Sequence, residues 1–276
     1  MDVLWLEVFG LSTWYHSSSA QNTHSPEKPP PSELIRQCDV KGILHSHSRY
    51  CDGAHSLGAM VFTAREIGLE YLGISDHYRS DVHRNGLNSA KILRQREEIN
   101  SLKNEFPGFE ILQGVELAAA PDGSLPLDDD ILSLFDYVIV SFFDGDGAAP
   151  ADQTERILSV LRNPSTTIIG KPLGDYMLRR PPVPADMELI LCEAAKAGVP
   201  VEIDANPHAP DLDWGYCHRA QELGVMLCIN PNAHRAARLV DYRHGVELVR
   251  NAGICCHSIL NTMNCETLKR YITRRR

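Results

Sequence analysis

From about residue 38 onward the chain alternates short β-type runs with longer amphipathic segments, and this alternation restricts the possible folds more than any other feature. The β-type runs cover Gly42–Ser46, Tyr71–Ser75, Glu110–Glu116, Tyr137–Ser141, Thr166–Gly170, Pro200–Asp204 and Met226–Asn230. Between them the spacing predicts helices over Leu57–Ile67, Asn88–Asn104, Asp152–Leu161, Asp186–Ala197, Leu212–Leu223 and Ala237–Asn251. Gly68, Gly198 and Gly224 stand just past three of these, where a left-handed residue commonly ends a helix. Repeated strand–helix units of this length imply a parallel sheet. Seven such units favour a closed α/β barrel over an open sheet, which the pattern alone does not exclude.

The chain's 276 residues are long for one ordinary domain but suit such a barrel. Apolar residues make up 43% and charged residues 23%, as in a globular chain. The formal charge of -9 argues against a non-specific polyanion binder, because phosphate contacts rest on Lys and Arg. It fits a protein that collects cations on carboxylates and imidazoles. The basic tail Lys269, Arg270 and Arg274 to Arg276 reads as the solvated end of a helix, where cations complement the dipole.

The eight cysteines form no CxxC pair and several lie in apolar runs, which suits reduced thiols in a cytoplasmic protein. The start, MDVLWLEVFGLSTWYH, lacks a basic region and is interrupted by Glu7, so it makes a poor signal peptide. No stretch reaches the roughly 18 uninterrupted apolar residues of a membrane span, and no membrane partner is expected. Residues 16–32 read as a Ser/Pro-rich linker. The chain thus divides into a segment and linker over 1–34 and a main domain over 35–276. Trp5, Phe9, Trp14 and Tyr15 give the first segment a surface for docking on the main body or on a protein partner.

Chemistry-bearing residues recur at one station, the C-terminal ends of the predicted strands. His45 and His47 lie two apart in an extended run, so one face presents both, and Asp52 follows in a Gly turn. The next runs end in Asp76-His77 and in Glu116, and the last leads into Asn232 and His234. A lone His-x-His or a lone Glu at a strand end is commonplace. Four such segments on the functional face of one barrel point to a metal site, and mixed nitrogen and oxygen ligands suit zinc, manganese or iron.

Over roughly residues 35–276 the chain resembles the PHP (polymerase and histidinol phosphatase) superfamily, most of all the C-terminal PHP domain of bacterial and archaeal family X DNA polymerases. The likeness rests on His45-Ser46-His47 with Asp52-Gly53, Ile74-Ser75-Asp76-His77, Gly114-Val115-Glu116 and Val201-Glu202-Ile203-Asp204-Ala205-Asn206-Pro207. It continues through Ile229-Asn230-Pro231-Asn232-Ala233-His234 and Leu260-Asn261-Thr262. The resemblance implies a distorted (β/α)7 TIM-like barrel and up to three divalent ions that activate water and clamp a phosphate ester. In the polymerase-linked members it implies manganese-dependent nuclease and DNA 3′-end processing.

Carried over by resemblance, the ligands His45, His47, Asp52, His77, Glu116 and His234 are retained, with Glu116, His77 and His234 expected to carry catalysis. Phe143 and Lys171 replace imidazoles, and Asn232 replaces an Asp. Ile43 and Ala118 stand where supporting acids are usual. One metal group, Asp52, His77 and His234, is then intact. A second, His45, His47, Glu116 and Asn232, keeps a neutral oxygen at its last position. The third, Glu116 with positions 143 and 171, has lost both imidazoles.

Lys171 is expected either to hold its ammonium beside Glu116, in place of the third ion and in reach of substrate, or to point to solvent. Arg179 and Arg180 are candidates for phosphate contact or a plain surface loop. Asn206 is a candidate to orient the attacking water or to form a turn, and Asp144 and Asp146 are candidate substitute ligands. The reading is a metal-dependent phosphoesterase with fewer than three ions, acting on a nucleic-acid 3′ end, a nucleotide or another phosphate ester. The alternative is a catalytically silent domain that binds phosphate, nucleic acid or a protein.

Overall fold

The computed structural model describes residues 29–80, 83–142, 153–172, 185–207 and 214–274. Residues 1–28, Phe143, Asp144, Asp146, Arg179 and Arg180 lie outside them.

The seven strands are β1 (Gly42–Ile43), β2 (Tyr71–Ile74), β3 (Glu110–Ala118), β4 (Tyr137–Ser141), β5 (Ile168–Gly170), β6 (Val201–Asp204) and β7 (Leu227–Asn230). They form one parallel sheet in chain order. A parallel bridge from Ser46 to Ala233 joins the extensions of β1 and β7, so the sheet curls into a nearly closed barrel. Helices follow the strands: α1 (Leu57–Glu66), α2 (Ser89–Glu105), the short α3 (Asp129–Leu132), α4 (Gln153–Arg162), α5 (Met187–Ala197), α6 (Trp214–Leu223), α7 (Tyr242–Asn251) and α8 (Cys265–Thr273). Side chains of Ser56, Asn88, Asp186 and Asn264 cap α1, α2, α5 and α8 by accepting an early backbone N–H. Gly68, Gly198 and Gly224 all have positive φ, as their places after helices require.

Most boundaries differ from the sequence reading by one or two residues, and two larger differences have local reasons. β1 ends at Ile43 rather than Ser46, because the chain bends at Leu44. The Leu44 N–H goes to the Asn230 side chain at 2.8 Å instead of to a ladder carbonyl. The segment before α7 winds as a 3-10 helix over Ala236–Asp241, which stacks Ala236 and Leu239 on its buried side.

The strands alternate between two apolar layers. On β3, Ile111, Val115 and Leu117 pack outward under the helices, while Leu112 faces the barrel interior with Leu44, Tyr71, Tyr137, Ile139, Ile168 and Cys228. Leu268 and Ile272 of α8 plug the interior from below. Tyr137 fills the middle, and a Cβ at Gly73 or Gly114 would fall 2.3 or 2.2 Å from its hydroxyl end. The same period that turns Leu112 inward turns Glu116 inward one layer higher. All eight cysteines are free and five are buried. Among the described residues no helix is long and apolar enough to cross a membrane.

Candidate metal centre

The bend at Leu44 resets the strand phase, so His45 and His47 both turn into the barrel mouth and are fully buried. The loop that follows is held by Asp76, which accepts from the Ser48 N–H and hydroxyl at 2.6 Å each, from Gln95 at 2.6 Å and from the Cys51 thiol at 2.9 Å. These donors occupy the Asp76 lone pairs, so its closeness to His47 and Cys51 is a structural junction and not an ion site. Gly53 lets the loop fold back, since a Cβ there would sit 2.5 Å from the His47 carbonyl.

Glu116 is the hub. Its Oε2 lies 3.0 Å from His45 Nε2, 3.4 Å from His47 Nε2 and 3.1 Å from His77 Nδ1. Its Oε1 accepts from the Ser141 hydroxyl at 2.6 Å. Asp52 Oδ2 lies 3.4 Å from His234 Nε2 and 3.9 Å from His77 Nε2. The His47 ring stacks on His77 and His234, with centroids 4.4 and 4.1 Å apart. Asn232 Oδ1 lies 3.0 Å from His47 Nε2.

Two groups result whose donor atoms all lie within 4.8 Å of one another: His47, Asp52, His77 and His234, and His45, His47 and Glu116. The first is the group expected from sequence with His47 added. The second brings together three of the four residues expected to share an ion, and Asn232 adjoins them through His47. His45 Nε2 and Glu116 Oε2 are buried, yet neither makes a hydrogen bond. They face each other at 3.0 Å as an ion pair that lacks hydrogen-bond geometry, and a donor set of imidazoles and carboxylates meeting there fits a divalent cation.

The electrostatics follow from this crowding. Burial opposes charge on His45, but the Glu116 and Glu202 carboxylates outweigh it and push its pKa up to about 10. Burial and the neighbouring His77 and His234 hold His47 well below the usual imidazole range. Burial likewise lowers His77 to about 4, against the pull of Glu116. Glu116 resists burial because His45 and His77 face it, and its pKa falls well below the ordinary carboxylate value. Burial of Asp52 is outweighed first by its contact with His234, which lowers its pKa.

Lys171 at the tip of β5 is only 6% exposed, so it does not point to solvent. Its charge acts on Glu116 and Asp204. Lys171 and Asn232 are the non-glycine residues with positive φ among those described, at 45° and 47°. Such backbone is uncommon and tends to collect at functional sites. Asn206 is half-buried, and its N–H donates to Asp204 Oδ1 at 2.8 Å. It also lines an open cleft of about 180 Å³ with Asn232, His234, Arg235 and Arg238.

Sequence reasoning missed four residues here. Glu202 lies 2.8 Å from His45 Nδ1. Asp204 accepts from the Asn232 amide at 3.4 Å. Ser141 braces Glu116, and the His83 ring stacks on His77 with centroids 3.6 Å apart. The alternation Val201-Glu202-Ile203-Asp204 was the available signal: two acids on one face of a strand whose other face is apolar. His83 sits in a loop with no such period.

The family model described as PHP domain matches residues 44–198 of the chain. Over 242 residues, 88% of the chain, it is 34% identical to the DNA polymerase/3′-5′ exonuclease PolX of Bacillus subtilis (strain 168), and it spans 42% of that relative's length. It is 27% identical to a protein named "Probable phosphatase" in Thermoanaerobacter sp. (strain X514), covering 81% of this chain and 91% of that one. A solved structure with a similar fold is the histidinol phosphate phosphatase of Lactococcus lactis, complexed with zinc, L-histidinol and phosphate. It has a TM-score of 0.57 at 20% identity, covering 78% of this chain and 94% of that one.

Proposed function

The chain belongs to the PHP domain family, and from that premise we propose that it is a metal-dependent phosphoesterase working with fewer than three divalent ions. The observation that carries this reading is the buried meeting of His45 Nε2 and Glu116 Oε2 at the barrel mouth, 3.0 Å apart and without a hydrogen bond. His45, His47, Glu116 and Asn232 would hold one ion, and Asp52, His77, His234 and His47 another. Zinc, manganese or iron fits this donor set, and a divalent ion supplies Lewis-acid chemistry, lowering the pKa of water and offsetting charge on the phosphoryl oxygens.

The chain's own residues do the rest. Glu116, His77 and His234 are the catalytic group, and half-exposed His234 is the imidazole that meets substrate, since it lines the cleft. Lys171 contributes a buried positive charge beside Glu116, where it binds a phosphoryl oxygen and takes over part of a third ion's role. Asn206 orients the attacking water from the cleft wall, and Arg179, outside the described residues, is a candidate for phosphate contact from its sequence alone. The PolX and phosphatase relatives support a phosphate ester as substrate, with a nucleic-acid 3′ end, a nucleotide and a small monoester as the classes to assay. Free thiols fit a reducing, cytoplasmic setting.

One observation favours a second reading, a silent domain that binds phosphate, nucleic acid or a protein partner: the Lys171 ammonium is buried where another cation would be repelled. Elemental analysis, with phosphomonoester and phosphodiester hydrolysis assayed in manganese and in zinc, separates the two. Bound ions with turnover lost in His77→Ala support the phosphoesterase. Protein free of metal and turnover after loading supports the silent domain.

A further inference from the structure

Asn232 is held from two sides. Its Oδ1 lies 3.0 Å from His47 Nε2, and its Nδ2 donates to Asp204 Oδ2 at 3.4 Å. Reversing the amide would set its oxygen against the Asp204 carboxylate, so this orientation is the one the surroundings accept. Asp204 closes β6 and pairs in register with Asn230, two residues before Asn232. It is only 4% exposed, and its other oxygen accepts the Asn206 N–H at 2.8 Å. The backbone of Asn232 holds a φ of 47°, a conformation that persists where surrounding contacts enforce it.

The group of His45, His47 and Glu116 is short of negative charge at its fourth position, where a neutral amide stands. A hydrogen bond of 3.4 Å behind that amide leads to a buried carboxylate. We propose that Asp204 is a positioning residue of the metal centre: it fixes the Asn232 amide with Oδ1 toward the ion held by His47, and it supplies from behind the charge that the amide lacks. The inference rests on the reading that this group binds a divalent ion. A carboxylate hydrogen-bonded to a ligand fixes the ligand's direction and strengthens it as a donor, the same device that carboxylates use on ligating imidazoles. A competing assignment makes Asp204 only the counterion of Lys171, whose charge it also feels.

Manganese titration of the 276-residue chain, followed by the EPR signal of free Mn2+ and by calorimetry, tests this. Asp204→Asn is isosteric and is expected to weaken binding about 10- to 100-fold. The same change in an Asn232→Ala background is expected to add little, because Asp204 acts through that amide. The reciprocal exchange, Asp204→Asn with Asn232→Asp, is expected to restore wild-type affinity within a few-fold. It also carries the test if Asp204→Asn alone fails to fold. Unchanged affinity in Asp204→Asn overturns the proposal, as does a loss of equal size in the Asn232→Ala background. So does a loss in Asp204→Asn that disappears in a Lys171→Met background and is indifferent to position 232, the signature of a simple counterion. A wild-type protein that binds neither manganese nor zinc sinks the metal reading itself, whereas wild-type binding with an indifferent Asp204 sinks only this inference.

Discussion

Glu202 Oε1 lies 2.8 Å from His45 Nδ1, and both side chains are fully buried. The second oxygen of Glu202 is 2.9 Å from the same nitrogen, so the imidazole is held from behind by a whole carboxylate. That contact fixes the ring and directs Nε2 at Glu116. Replacing Glu202 with Gln keeps the volume but removes the charge and one acceptor. The expected result is a fall in metal affinity of about 10- to 100-fold with a cooperative melt retained. Chelator competition measures it, and equal affinity would remove Glu202 from the centre.

Metal loading is expected to release a proton. With a pKa of about 10, His45 is protonated at neutral pH in the metal-free protein, whereas His77 at about 4 and the depressed His47 are already neutral. An ion bound at Nε2 displaces the His45 proton, so affinity climbs with pH across the neutral range and levels off near pH 10. The sign for folding is opposite. A pKa raised above the unfolded value of about 6.5 stabilises the metal-free fold fully below that pH, and the contribution fades as pH rises towards about 10. His234, where contact with Asp52 outweighs burial, is also held above the usual imidazole value, so calorimetry in buffers of different protonation enthalpy is expected to report at least one proton released per protein at pH 7. Release of none would mean that His45 is not a ligand.

The strands were legible because each is an apolar run bounded by a polar residue or a glycine. β4 falls on the predicted residues, and β2, β6 and β7 differ by one at an end. The main ligand positions were legible because His and acid recur where strands stop. The barrel itself was also legible, from the seven repeated units and the family resemblance, whereas the means of its closure was not. Closure rests on a single bridge at Ser46 and Ala233 and on two asparagine side chains, which carry no periodicity. Asp76 could be placed beside His77 but not assigned, because its role depends on donors from Ser48, Cys51 and Gln95 that only the fold assembles. Glu202 and Asp204 were visible as residues and overlooked as a pair.

Lys171 offers a test by gain of ligand. Its buried ammonium acts on Glu116, and an imidazole in its place would present a neutral donor to the same acid. Lys171→His combined with Phe143→His is expected to raise the number of bound ions by one, read by elemental analysis. An unchanged count would show that the lysine does not stand in for an ion.

Asn261 ties the two ends of the sheet together beneath the metal centre. Its fully buried amide donates to the Gly42 and Ile229 carbonyls at 2.9 Å each and accepts the Ile229 N–H at 2.7 Å, linking β1 to β7 where no ladder forms. Asn261→Leu keeps the bulk and strands three buried backbone groups. Each such group left without a partner is worth about 1–3 kcal/mol, so a loss of at least about 3 kcal/mol in urea unfolding is expected. The same two strands, continued upward past Ser46 and Ala233, carry His45 and His47 on one side and Asn232 and His234 on the other. Loosening the seam below should therefore reach the centre above, and the folded fraction of Asn261→Leu is expected to bind manganese more weakly than wild type. A variant that is destabilised but binds manganese with wild-type affinity would show that the Ser46–Ala233 bridge holds the two halves of the centre without help from the seam.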